Sequence, residues 1–302
     1  MQALAERLHL FVSGRALERA ELLGFSSLKT ASPPVGDLQG RILRSVRRRG
    51  KYLVWQFEGG TRIVLHLSQA GRVDVEAPPK TTRPRGAVAR FVFSADPSRP
   101  AETDDTPAVT GDGDVSRISD ETRRAVLIRE HGTQRKAAWW VLSEGDEGPL
   151  EGLGPEPGSA EFAELVRTST SSRRLHTDLR DQRVVAGIGR GWGDDILHLA
   201  RLSPFGTLGS LGTEERERLL SATATVLDAA LALERTRPGG LSEAKLGGRF
   251  AVHGRLGQPC PTPGCGDELR RVSFESYEMT YCATCQTGGK VLADRRLSRL
   301  LK

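Results

Sequence analysis

Residues 260–285 read CPTPGCGDELRRVSFESYEMTYCATC, and they contain all four cysteines of a 302-residue chain. The pairs Cys260-x4-Cys265 and Cys282-x2-Cys285 are separated by sixteen residues, the spacing of two thiolate knuckles at the ends of a β-hairpin. Tetrahedral zinc takes four soft ligands at about 2.3 Å, and a short knuckle delivers two of them from one tight turn. Pro263, Gly264 and Gly266 supply turn chemistry at the first pair. Unrelated thiols would not collect in one short window, and two disulfides do not suit the cytosolic setting expected for the chain. One structural Zn2+ held by Cys260, Cys265, Cys282 and Cys285 is therefore expected. With four protein ligands such a site is closed and leaves no position for a catalytic water.

Upstream of the knuckles the pattern is helical. AEFAELVR, DDILHLARL and a long run from Thr213 to about Arg235 carry apolar residues at a period near 3.6. Thr213 is expected as an N-cap, with Glu214 and Glu215 in the first turn and Leu219, Leu220, Val226, Leu227 and Leu231 as the apolar stripe. Further back the period changes to two. RILRSV, YLVWQF, RIVLHL, GRVDVE, ARFVFS, AVLIRE and AAWWVL are strand-length pieces, preceded by a short amphipathic helix over 2–13. The first half thus reads as a β sandwich or barrel. The expected organisation is a β domain at 1–145 with a disordered acidic insert at about 97–122, a linker at 146–159, a helical domain at 160–250, and a finger with a basic tail at 251–302.

Charged residues make up 27% of the chain, the net charge is +6 and the pI is about 9.4. Basic residues cluster at 41–52, 167–176 and 290–302, whereas the acidic excess lies largely at 101–121. Segregation of this kind points to a basic face and a polyanionic partner. No apolar run approaches the roughly 20 residues that span a bilayer, and MQALAERLHLFV lacks the unbroken apolar core of a secretory signal. A cytoplasmic, nucleoid-associated monomer with no membrane contact is expected.

Several segments taken together resemble the bacterial formamidopyrimidine-DNA glycosylase and endonuclease VIII family. LGPEP (153–157) is similar to the opening of that family's helical domain, and DQRVVAGIGRGWGDDILHLARLSP (181–204) to its helix-two-turns-helix element. VHGRLGQPC (252–260) leads into a finger of the family's type, and RRRGKYLVWQF and HLSQAG resemble runs of its β domain. The resemblance implies a multidomain α+β protein with an N-terminal β-sandwich, a helix-two-turns-helix domain and a zinc hairpin, with damaged duplex DNA held between the two halves. It also implies base-excision repair. A damaged, oxidised base is flipped from the stack at a cost of a few kcal/mol, and an amine attacks C1′ to give a Schiff base and then strand cleavage. That amine is the family's N-terminal proline, with a glutamate beside it. An α-amino group titrates near about 8 and a lysine near about 10.4, so more of the former is free base at neutral pH.

The chain itself opens MQALAERLHLF, without Pro-Glu and, counted back from Lys51, six residues short. Met1 falls where the family has valine, so the expectation is that the cellular protein starts upstream, carries Pro-Glu there, and that the chain as written lacks normal lyase activity. The rival is a non-catalytic paralogue that binds damaged DNA. Lys51 matches the family's phosphate-binding lysine, and Gln69 takes the place of its void-filling methionine. Gln134 and Lys136 take the places of its arginine and phenylalanine wedge, and Arg190 that of a phosphate-contacting asparagine. Tyr277 takes the place of an arginine inserted into the base stack. Arg255 and Tyr277 are expected to contact DNA. His66, Trp139 and Trp140 are expected in the core, with His66 also compatible with a DNA-facing role, and Asp195 is expected to stabilise a helix turn.

Overall fold

The computed structural model describes residues 1–95, 122–131, 136–237, 248–274 and 277–293. The chain forms two compact units, one of Met1–Glu151 with Arg235–Lys245, the other of Gly152–Glu234 with Leu246–Lys302. The finger expected as a separate domain at 251–302 is therefore part of the helical unit. The expected insert at about 97–122 lies, but for Thr122, outside the described residues.

The first unit opens with helix α1 (Gln2–Val12), which buries Leu8, Phe11 and Val12. Eight strands follow: β1 (Leu17–Leu22), β2 (Leu43–Arg49), β3 (Tyr52–Phe57), β4 (Arg62–His66), β5 (Gly71–Glu76), β6 (Ala87–Phe93), β7 (Arg124–Glu130) and β8 (Ala138–Leu142). They make two antiparallel four-stranded sheets, ordered β1-β6-β7-β5 and β2-β3-β4-β8. The apolar positions of both sheets share one core that contains Trp55, Phe91, Phe93, Ile128 and Trp139. Each such side chain contributes about 1.5–3 kcal/mol on leaving water. Trp55 packs edge-on against Phe91, with ring centroids 5.0 Å apart, and Phe91 packs edge-on against Trp139 at 5.3 Å.

Successive residues of a strand face opposite sides of the sheet. Trp139 is accordingly buried, with its Nε1–H donating to Ser27 Oγ at 3.1 Å, but Trp140 is only half-buried on the other face. His66, also expected in the core, is half-buried at the end of β4.

The second unit contains α2 (Ala160–Thr168), α3 (Leu175–Arg180), α4 (Arg190–Leu199), most of α5 (Thr213–Arg235), the hairpin β9 (Leu269–Phe274) and β10 (Tyr277–Cys282), and the short α6 (Ala283–Thr287). Ser159 caps α2 by accepting from the Phe162 N–H. Thr213 is the first residue of α5 and not its cap; Glu215 reaches back to accept the Gly212 N–H at 3.0 Å. Phe162, Val166, Leu175, Leu179, Ile188, Ile196, Leu197 and Leu219 form this unit's core. LGPEP lies against the turns before α4. Gly154 N–H donates to Gln182 C=O and Ala186 N–H to Pro155 C=O, both at 2.9 Å.

Candidate nucleic-acid interface and metal centre

In the first unit, Lys51 follows Gly50 in the tight turn from β2 to β3, where Gly50 takes a φ of 56° that suits glycine. Tyr52 and His66 are registered partners across β3 and β4, with ring centroids 4.9 Å apart, and Trp140 approaches Tyr52 at 6.0 Å. Burial and then the Lys51 charge push the His66 pKa down, so this ring is a neutral hydrogen-bonding group near pH 7. A cation, a phenol, an imidazole and an indole thus share one end of a sheet face. Gln69 is exposed on the turn after β4, and Lys136 is exposed with its N–H donating to Glu130 Oε1. Gln134 lies outside the described residues.

In the second unit the turns between α3 and α4 are stapled by Gln182, whose side chain accepts the Gly187 N–H at 2.9 Å and donates to Ile188 C=O at 3.0 Å. Gly187, at φ 110°, makes a bend that a side chain would strain. This fixes Arg190 as the exposed first residue of α4, with Gly189 as an N-cap that offers no side chain to the helix N–H groups. Anions are favoured at such an end.

The hairpin tip meets this helix start. Tyr277 is 37% exposed, enough to leave part of its ring open to a partner. The Arg180 guanidinium stacks on it at 3.1 Å from the ring centroid, and that of Arg190 stands at 5.9 Å. Arg174, just ahead of α3, lies over Phe205 at 3.9 Å and over Phe274 of the hairpin at 4.3 Å, so that with the Arg180–Tyr277 pair two cation–π contacts tie this segment to the hairpin. His176 is buried below this group, and burial, together with Arg180, Arg190 and His253, lowers its pKa to about 3. It is neutral and adds no charge of its own. Of the expected contacts the structure brings Arg190 and Tyr277 together. Arg255 is not in this group; it is half-buried, and its guanidinium donates to Gly248 C=O at 3.0 Å.

The four cysteines also converge. Their Sγ atoms all lie within 4.8 Å of one another, with Cys260–Cys285 at 3.8 Å, Cys265–Cys282 at 3.5 Å and Cys265–Cys285 at 3.4 Å. A tetrahedron with metal–sulfur bonds of about 2.3 Å has edges of about 3.8 Å, so the set fits a four-thiolate ion. Asp267 braces the second knuckle by accepting from Thr284 N–H and Oγ1–H, both at 3.0 Å. Those bonds and the one from Glu268 N–H hold its pKa down to about 2.

Helix α4 carries the groups that fasten this centre. Asp195 accepts three N–H groups, from Ala251 at 2.7 Å, Val252 at 2.9 Å and His253 at 3.1 Å, and so clamps the chain that leads into the first knuckle. Its role is larger than stabilising a helix turn. Asp194 Oδ2 accepts from Thr280 N–H at 3.0 Å and lies 2.6 Å from His253 Nδ1; burial still raises its pKa. Gln286 of α6 donates to Leu202 C=O at 2.8 Å, and His198 Nε2 lies 3.2 Å from Cys260 Sγ. Sequence reading missed Arg180, His176, Asp194 and His198. The DD and H of DDILHLARL fall on the buried side of the helix, and that was the available signal for the last two.

A two-sheet unit and a helical unit with a four-cysteine hairpin locked to α4 define the helix-two-turns-helix class of finger-bearing proteins. Comparison with known sequences makes the assignment particular. The formamidopyrimidine-DNA glycosylase N-terminal domain matches residues 1–109, and the formamidopyrimidine-DNA glycosylase H2TH domain matches 153–238. The chain is 31% identical to the formamidopyrimidine-DNA glycosylase of Symbiobacterium thermophilum, over 94% of this chain and 88% of that one. It is 42% identical to a formamidopyrimidine-DNA glycosylase-like protein of Mycobacterium tuberculosis, over 50% of this chain and 94% of that one. The Lactococcus lactis Fpg solved in complex with DNA containing an abasic site has the same fold, with a TM-score of 0.74 at 20% identity over 94% of this chain and 97% of that one. The protein belongs to the formamidopyrimidine-DNA glycosylase family. Among the described residues, no helix is long and apolar enough to cross a membrane.

Proposed function

We propose that this protein acts in DNA base-excision repair as a glycosylase and abasic-site lyase on damaged duplex DNA. Membership of the family supports the activity, and the meeting of Arg180, Arg190 and Tyr277 at one exposed point supports the substrate class. A phosphate suits the start of α4, where Arg190 adds charge to open helix N–H groups. Beside it the Tyr277 ring, with Arg180 held on its face, offers a platform to a base or sugar. Lys51, Gln69, Gln134 and Arg255 are assigned further DNA contacts, with Lys51 next to the neutral His66. The four thiolates hold one Zn2+, which when bound braces the hairpin and leaves no site for a water nucleophile. The family's chemistry implies that base loss and strand cleavage run through a protein amine, and the damaged base must leave the stack to reach it.

Borohydride trapping on an abasic-site duplex tests this reading, with residues 1–302 and a form carrying a Pro-Glu opening ahead of residue 1 run side by side. A covalent adduct from the extended form is expected. Its absence, with duplex binding retained, overturns the catalytic assignment in favour of a damage-binding protein.

A further inference from the structure

We infer that His198 is a positioning residue for the metal centre, donating its Nε2–H to the Cys260 thiolate and so tying α4 to the ion; this rests on the zinc assignment above. His198 occupies the last turn of α4, is 6% exposed, and places Nε2 3.2 Å from Cys260 Sγ, within the distance of an N–H···S bond. It is not a fifth ligand. The group whose ligand atoms all lie within 4.8 Å of one another comprises the four cysteines without it.

The chemistry of the donor set explains why such a bond matters. A divalent ion with four thiolates retains an excess of negative charge, which N–H donors to sulfur reduce. On Cys282 one such donor is the Cys285 N–H at 3.4 Å, which comes from inside the same knuckle and forms wherever that knuckle folds. Cys260 likewise has a local donor in the Thr262 backbone, but it has a second from 62 residues away in sequence, on a helix that also holds the knuckle's lead-in through Asp195. A buried imidazole aimed at a thiolate thus closes the connection between that helix and the ion. The bond requires the proton on Nε2, and the same donor can be supplied by the side-chain amide of glutamine, whereas phenylalanine fills the space without a donor.

The test uses the full chain, His198→Phe and His198→Gln, each loaded with zinc and assayed for metal content and for its rate of zinc loss to excess chelator. Wild type is expected to hold one zinc, H198F to release it about 10- to 100-fold faster, and H198Q to recover most of the difference. Co2+-loaded proteins supply a readout at the sulfur itself. The thiolate-to-metal charge-transfer band is expected to shift in H198F and to stay near its wild-type position in H198Q. Equal release rates and unshifted bands in proteins that all hold one zinc overturn the role of His198 alone. A wild-type chain that binds no zinc overturns the metal assignment and this inference with it.

Discussion

The guanidinium of Arg180 lies over the Tyr277 ring, 3.1 Å from its centroid, and joins the end of α3 to the tip of the four-cysteine hairpin. The aromatic face, not the phenolic oxygen, carries this contact. Tyr277→Phe should therefore bind duplex DNA nearly as wild type, whereas Tyr277→Ala should bind about tenfold more weakly, within the roughly 1–3 kcal/mol of a stacking contact. Arg180→Ala should show a similar loss, and the double variant less than the sum, because the two act as one unit. Anisotropy titrations of a labelled duplex measure all four; wild-type affinity for Tyr277→Ala would remove the hairpin tip from the interface.

Arg190 makes a distinct prediction, since it is exposed at the start of α4. If it neutralises a phosphate, Arg190→Ala lowers the slope of log affinity against log salt by about one and weakens all sequences alike. Arg190→Lys should keep the slope while losing part of the affinity, because an ammonium lacks the planar fork of the guanidinium.

The buried His176 gives a pH signature. Its pKa falls from 6.5 to about 3 on folding, so below 6.5 the unfolded chain binds a proton that the folded chain refuses. Stability present above pH 6.5 is thus lost as the pH falls toward about 3, by up to about 1.4 kcal/mol per pH unit. Urea midpoints at pH 7 and pH 5 should differ less in His176→Gln than in wild type. An unchanged difference would mean that His176 is protonated in the native protein.

Asp195 holds the lead-in to the finger through three backbone N–H groups, two of them half-buried or more at Val252 and His253. Asp195→Ala leaves those donors without their acceptor and should cost about 3 kcal/mol. Asp195→Asn keeps one acceptor oxygen and should cost less. Thermal melts of the zinc-loaded proteins rank the three.

Gly154 in LGPEP has a steric reason. A Cβ there would lie 2.6 Å from Arg183 O and from Val184 C and O, all of them backbone atoms. Gly154→Ala should destabilise the helical unit by about 1–3 kcal/mol, which chemical denaturation reads directly.

Where a residue's role follows from local pattern, the sequence made it legible. YLVWQF and RIVLHL alternate or run apolar and became β3 and β4, and the knuckle spacing brought the four sulfurs together. LERAEL was passed over because β1 is an edge strand of its sheet, and edge strands carry charge. Helices α3 and α6, of six and five residues, are too short for a period to show. Arg180 left no mark in the sequence, and the helical period marks His198 only as buried: each acquires its role from a partner far along the chain, Tyr277 and Cys260 respectively, and no spacing rule encodes a cation–π or an N–H···S contact. The reading of Trp139 and Trp140 as one core pair failed on the two-residue period of a strand.

The four tryptophans are divided between the units in a way that makes the protein its own optical reporter. Trp55, Trp139 and Trp140 belong to the first unit, and Trp192 alone belongs to the second. Trp192 sits on α4 with the Phe250 ring 4.6 Å away, next to the segment that Asp195 clamps. Replacing the other three by phenylalanine would leave emission that follows the docking of the finger on its helix and is blind to the sandwich.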